Sequence, residues 1–244
     1  MNILTNEKTI RRNSRIGSYT MFAGLGLVVV SMVLLYKMND TQFLQDNPNI
    51  VIWTMATLFG GFMVVQIGTF FTNRYGRRPR TDEVLGSTLK GLTKDYTLYN
   101  YLAPVNHLLV GPAGVWVIEP YYQRGTIGYD SKRSRWTQSG GGFYVAYMKI
   151  FGQEGIGRPD LEVKADVDSL AAAFKKAFGD EVPEINVALV FTDPRTEVNA
   201  EDAPQPTMMV KDLKDFLRKY AKGHPFPADQ IERITAALPE ETIE

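Results

Sequence analysis

The stretch Val105–Tyr122, VNHLLVGPAGVWVIEPYY, decides how the second part of this chain folds. Two apolar runs flank Gly111-Pro-Ala-Gly114, which has the chemistry of a tight turn, so the runs predict a β-hairpin. Pairing Val110 with Val115 and counting outward sets Leu109 opposite Trp116 and Asn106 opposite Glu119. Side chains opposed in this way have Cβ atoms about 5 Å apart. Alternation along the second strand puts Val115, Val117, Glu119 and Tyr121 on one face, with Trp116, Ile118 and Pro120 on the other. Both faces are apolar, as in a strand covered on both sides. Glu119 is then an acid at the end of a buried strand, where an ionised carboxylate is costly unless paired, solvated or bound. Solvent and Arg124 are its simple partners; a cation is the functional one.

Outward from the hairpin, Thr81 to Leu92 reads as a helix with Thr81 at its N-cap and Val84, Leu85, Leu89 and Leu92 apolar. Strands are expected at Thr97–Leu102, Val105–Val110, Val115–Glu119 and Gly125–Tyr129, with another near Trp136. The glycine-rich segment 139–157 reads as a loop. A helix follows over Asp160–Phe178, with Val163, Val167, Leu170, Phe174 and Phe178 on one face. Then come an apolar strand at Ile185–Phe191, a short strand at Thr207–Val210 and helices at Asp212–Tyr220 and Ala228–Leu238. This order predicts an α/β domain with one mixed sheet.

The 80 residues before the domain differ from it. They hold nine Lys+Arg against three Asp+Glu, whereas residues 81–244 hold eighteen against twenty-four. Ile16–Tyr36 and Ile50–Phe71 carry no charge. At about 1.5 Å per residue, each is long enough for a hydrocarbon core of roughly 30 Å. Lys8, Arg11, Arg12 and Arg15 precede the first stretch, and Arg74, Arg77, Arg78 and Arg80 follow the second. The positive-inside rule then expects a two-helix transmembrane hairpin with both termini in the cytoplasm. Ala56 and Gly60 form a small-xxx-small pair, which is a candidate helix contact. The expected layout is a cytoplasmic basic tail (1–15), transmembrane helices at 16–36 and 50–71 joined by an external loop (37–49), a basic linker (72–80), the domain (81–222), and a C-terminal helix and tail (223–244).

The acidic opening Asp82-Glu83, the hairpin Val-Asn-His-Leu-Leu-Val-Gly-Pro-Ala-Gly-Val-Trp-Val-Ile-Glu119, the return strand Gly125-Thr-Ile and the helix opening Pro159-Asp-Leu-Glu-Val together resemble the nuclease-related domain, NERD. That family belongs to the PD-(D/E)xK nuclease-like superfamily. The resemblance covers roughly residues 80–220 and is most specific over Val105–Glu119. It implies a restriction-endonuclease-like α-β-β-β-α-β core in which an Asp and a Glu hold a divalent cation and a Lys positions the attacking water. Carried over position by position, the metal Asp is Asn106, the Glu is Glu119, the Lys is Tyr121 and a helical Gln is Glu162. Glu83 and Glu119 are the family-like acids that remain. Asn106 removes a charge from the metal site and Tyr121 removes the cation, so the resemblance implies a degenerate nuclease centre. No cofactor is then expected; Mg²⁺ enters only if the chain cleaves phosphodiesters after all.

Other chemistry is thinly represented. The absence of cysteine excludes disulfides, thiolate metal sites and a cysteine nucleophile. Neither a Walker A pattern nor a nucleophile elbow occurs, and Gly152–Gly157 lacks the strand-to-helix context of a phosphate loop. The acidic domain opposes nucleic-acid binding, apart from Tyr121–Trp136 with its four basic residues and four aromatics. His107 reads as a packed strand residue. The expectation is a multi-pass protein of the bacterial inner membrane. Its partners are the lipid bilayer and an unidentified protein or a second copy, with nucleic acid the less favoured choice.

Overall fold

A computed structural model describes residues 1–140, 142–151 and 155–242. It divides into two compact units, one built on Ile10–Arg78 and the other on Met1–Thr9 with the chain from Pro79 onward.

The first unit pairs α1 (Glu7–Lys37) with α3 (Ile50–Phe71), which runs on into a π-helical turn, Thr72–Gly76. Both helices are long and apolar enough to cross a membrane. Their large side chains point outward, with Phe22 74%, Trp53 64% and Phe59 68% exposed. What they bury is small. Gly17, Gly24 and Ser31 recur every seventh residue on α1, as do Thr54, Gly61 and Gly68 on α3. A Cβ at Gly24 would stand 2.6 Å from the Val65 nitrogen, and one at Gly68 would stand 2.6 Å from the Met21 nitrogen. The backbones meet because glycine lets them, as in close-packed membrane helices. The expected Ala56–Gly60 contact is not this seam: a Cβ at Gly60 meets nothing within 4 Å.

α1 begins well before Ile16, within the stretch 1–15 expected to be a basic tail. The Asn6 side chain accepts from the Thr9 N–H at 2.9 Å and Glu7 stands in the first turn, both favourable at a helix N-terminus. The connection between the long helices holds a short helix, α2 (Thr41–Asp46), capped by the Asp40 carboxylate.

In the second unit the residues ahead of α1 form β1 (Asn2–Thr5), which pairs in parallel with β2 (Thr97–Asn100). Helix α4 (Thr81–Leu89) precedes β2, with Arg80 rather than Thr81 at its N-cap. Then follow β3 (His107–Gly111), β4 (Gly114–Tyr121), β5 (Gly125–Asp130), β6 (Arg135–Ser139) and α5 (Gly142–Phe151). The chain continues through α6 (Pro159–Phe178), β7 (Ile185–Phe191), β8 (Thr196–Asn199), β9 (Thr207–Met209), α7 (Val210–Gly223) and α8 (Ala228–Ala236).

Six strands form a mixed sheet in the order β1-β2-β3-β4-β7-β9, and β6-β5-β8 form a second sheet. The single sheet expected from the sequence is therefore two. The reason is positional: β3 and β7 occupy both edges of β4, so β5 has no edge of β4 to return to. The reading of 139–157 as a loop is also corrected, since α5 occupies most of it. The Gly152–Gly157 reading falls partly on residues outside those described.

The hairpin register is as read from the sequence. Gly111 pairs with Gly114, Val110 with Val115 and Leu109 with Trp116, around a two-residue turn. Gly114 sits at φ +94°, which side chains with a Cβ rarely adopt. Gly111 lies so close to the Tyr96 ring that a Cβ would overlap it. The main sheet is covered on both faces, as the double apolar alternation requires. One face carries Val110, Val115 and Val117 against Val163, Leu170 and Phe174 of α6. The other carries Leu109, Trp116 and Ile118 against Leu85 and Leu89 of α4 and Leu213 and Leu217 of α7. Trp116 meets Phe216 and Tyr220 edge-on, with centroids 5.4 and 4.9 Å away.

Candidate functional site

β4 and β7 run in parallel from Val115↔Ile185 to Tyr121↔Phe191, so their carboxyl ends emerge at the same edge of the sheet. In α/β sheets that edge is where ligands bind. Glu119, Tyr121 and the segment after Phe191 all lie there.

Glu119 stands opposite Leu189 and is 7% exposed, so bulk solvent is not its partner. Tyr121, two residues on and on the same face, is 6% exposed and stacks on Phe191 with centroids 5.5 Å apart. Its hydroxyl donates to Oε2 of Glu162, at 2.8 Å. Two of the residues singled out from the sequence thus come together across the gap between β4 and α6.

Asn106 and Glu83 are placed differently. β3 begins at His107, and Leu108↔Val117 is the outermost pair on that side of the β3–β4 ladder. Asn106 lies beyond it in a bend, where its carbonyl accepts from the Tyr101 N–H at 2.8 Å. The Glu83 carboxylate accepts from the Arg80 N–H at 3.0 Å and lies 3.6 Å from the Arg80 guanidinium. Arg80 also holds Asp82 at 2.9 Å and Glu7 at 3.2 Å, and these neighbours keep it charged by raising its pKa. Glu83 is thus engaged in closing the N-terminus of α4. Lys164, two residues beyond Glu162, pairs with Asp168 on the exposed face of α6.

Mg²⁺ is held by carboxylates together with waters and phosphate oxygens. Among the described residues, no three His, Asp or Glu side chains converge in a way that would hold a metal ion. Of the two positions that the nuclease resemblance gives to the metal, Glu119 brings a carboxylate and Asn106 an amide.

The sequence reading missed a second cluster at the same edge. Asp193, two residues past β7 and 8% exposed, receives Arg195 through Nε and Nη2, both at 2.9 Å, and Arg124 through Nε at 2.9 Å. These guanidinium contacts, with Arg195 foremost, hold the Asp193 carboxyl well below the usual carboxylate range. Thr196 Oγ1 donates to the Gln123 carbonyl at 2.6 Å, and Gln138 Nε2 to the Arg124 carbonyl at 2.8 Å. The cluster joins the exits of β4 and β7 to the second sheet. Its signal in the sequence was Thr192-Asp-Pro-Arg195, an Asx-type turn that reads as a plain strand terminator.

His107 is 2% exposed, with Nδ1 2.8 Å from Asn100 Oδ1. Asn100 in turn donates to Thr5 Oγ1 at 3.2 Å, linking β1, β2 and β3. In the basic–aromatic run, Tyr121 and Trp136 are buried, whereas Lys132, Arg133 and Arg135 are exposed. Comparison of the chain with protein-family models, curated proteins and solved structures returned no match.

Proposed function

We propose that this chain is a membrane-anchored binding or scaffold module, built on a NERD-like, restriction-endonuclease-like core whose nuclease centre is degenerate. With β5, β6 and α5 inserted between β4 and α6, the order α4-β2-β3-β4-α6-β7 supports the α-β-β-β-α-β layout. The observation that carries the degenerate reading is the Tyr121–Glu162 hydrogen bond. It sets a phenol, which carries no positive charge in either protonation state, where the nuclease pattern asks for a cation. A phenol at pH 7 supplies no positive charge to a developing phosphorane, and electrostatic stabilisation is the larger part of such catalysis.

The anchor is a pair of membrane-crossing helices in the bacterial inner membrane, with both termini cytoplasmic. Two observations support this. Basic residues flank the outer ends of both apolar stretches. In addition, β1 precedes α1 and β2 follows α3, yet they pair in one sheet, which requires an even number of crossings between them. The bilayer is then one partner, and an unidentified protein or a second copy is the other.

The competing class is a tethered Mg²⁺-dependent nuclease acting on DNA or RNA. The purified full chain and its Glu119→Ala variant, each given single- and double-stranded DNA and RNA with Mg²⁺ or Mn²⁺, separate the two. No cleavage by either is expected. Cleavage by the unmodified chain that disappears in the variant would replace the scaffold by the nuclease.

A further inference from the structure

The domain is acidic overall, but one segment inverts the balance. From Ser131 to Phe151 there are four basic residues, Lys132, Arg133, Arg135 and Lys149, and no acid. The segment ends in α5, GFYVAYMKIF, whose single charge is Lys149. Phe143 in its first turn is 86% exposed, and Tyr147 one turn on is 49% exposed. Lys149 Nζ donates to the Gln138 carbonyl at 2.7 Å, tying the helix to β6 by its one charged side chain. Lys132, Arg133 and Arg135 stand exposed at the other end of that strand. Contiguous apolar surface, unlike a single exposed side chain, marks an interaction site, and Phe143 and Tyr147, four residues apart, share one helix face.

We infer that α5 is an interfacial helix that seats on the anionic leaflet of the bilayer in which the chain is anchored. This rests on the membrane anchoring proposed above. A ten-residue helix is too short to cross a bilayer, so it lies in the plane of the interface. Aromatic rings beside Lys and Arg are the side chains that favour the headgroup level. The remainder of the domain, rich in Asp and Glu, is repelled by an anionic surface, which confines the attraction to this segment. Nucleic acid fits less well. Trp136 and Tyr121 are buried and Tyr122 and Tyr129 half-buried, so the basic turn presents none of its rings fully exposed for single strands to stack on.

The chain has no cysteine, so one introduced thiol reports one site. The full chain is reconstituted into vesicles of phosphatidylcholine and phosphatidylglycerol with an environment-sensitive fluorophore at Phe143→Cys. Trp53→Cys on α3 serves as the bilayer reference and the exposed Glu201→Cys as the aqueous one. The Phe143 label should emit to the blue of the Glu201 label. It should also lose emission severalfold when the lipids carry a quencher just below the headgroups. Quenching at Trp53 without quenching at Phe143 would overturn the role of α5 and leave the anchor standing. Quenching at neither site would overturn both. A shift at Phe143 on adding oligonucleotide, with no response to quencher lipid, would replace the bilayer by nucleic acid.

Discussion

The Tyr121 hydroxyl donates to Glu162 Oε2 at 2.8 Å, so this hydrogen bond fastens the end of β4 to the first turn of α6. In the proposed degenerate centre these two positions form a joint between a buried strand and the exposed face of α6. Tyr121→Phe keeps the ring against Phe191 and removes only the donor. Glu162 is exposed, so water replaces the lost partner, and the variant should lose only about 0.5–1.5 kcal/mol. Urea unfolding of the detergent-solubilised chain, followed by near-UV circular dichroism, measures it. Glu162→Gln should cost less, because an amide oxygen still accepts.

Restoring the family-like pair tests whether the core is laid out as proposed. Asn106→Asp with Tyr121→Lys returns a carboxylate and a cation, and Glu162 is already placed to receive the new ammonium. Weak cleavage of DNA with Mn²⁺ is expected, abolished by adding Glu119→Ala. Persistent inactivity of a folded double variant would count against the NERD-like layout.

Asp193 gives a pH dependence with a definite sign. Its folded pKa is depressed by Arg195 and Arg124 below an unfolded value of about 3.9. A depressed carboxylate adds stability that is fully present above the unfolded value and is lost as pH falls toward the folded one. The chain should therefore lose stability below about pH 4, and Asp193→Asn should flatten that acid limb. At pH 7 the same substitution should cost about 1–3 kcal/mol, since it removes the charge from the buried acceptor that Arg195 and Arg124 share. Thermal unfolding between pH 3 and 7 checks both.

The glycine seam predicts unequal tolerance along α3. A Cβ at Gly68 would come within 2.6 Å of the α1 backbone, whereas one at Gly60 meets nothing within 4 Å. Gly68→Val should separate the helices, read as faster proteolysis of the reconstituted chain, while Gly60→Val should leave it intact.

Much of this architecture was legible in local chemistry. The Gly111–Gly114 turn and the apolar alternation set the β3–β4 register, and Pro159 with its 3.6-residue pattern set α6. The misses arose where the deciding contact is remote. Asn2–Thr5 looks like a polar tail until β2, almost 100 residues later, supplies the edge it pairs with. The glycine run Gly140–Gly142, where α5 begins, imitates a loop. At the site, Glu119 and Tyr121 stood out because each breaks an apolar run. Asp193 did not, since its meaning comes from Arg124, which is brought to it only by the parallel pairing of β4 and β7.

The β1–β2 pair makes the sharpest statement about topology. β1 is parallel to β2 over four residues, and Asn2 and Asn6 donate to the Tyr96 and Asn100 carbonyls at 2.8 and 3.0 Å. Strands on opposite sides of a bilayer cannot form such a ladder, so reporters fused before Met1 and after Glu244 should be active in the same compartment. In the orientation proposed from the basic flanks, that compartment is the cytoplasm. Deleting residues 2–5 should leave the helices inserted but expose the β2 edge and remove the Thr5–Asn100 hydrogen bond, giving a folded chain of lower melting temperature. Reporters active on opposite sides, or a deletion without thermal effect, would show that β1 does not belong to the six-stranded sheet and would overturn the proposed pair of crossings.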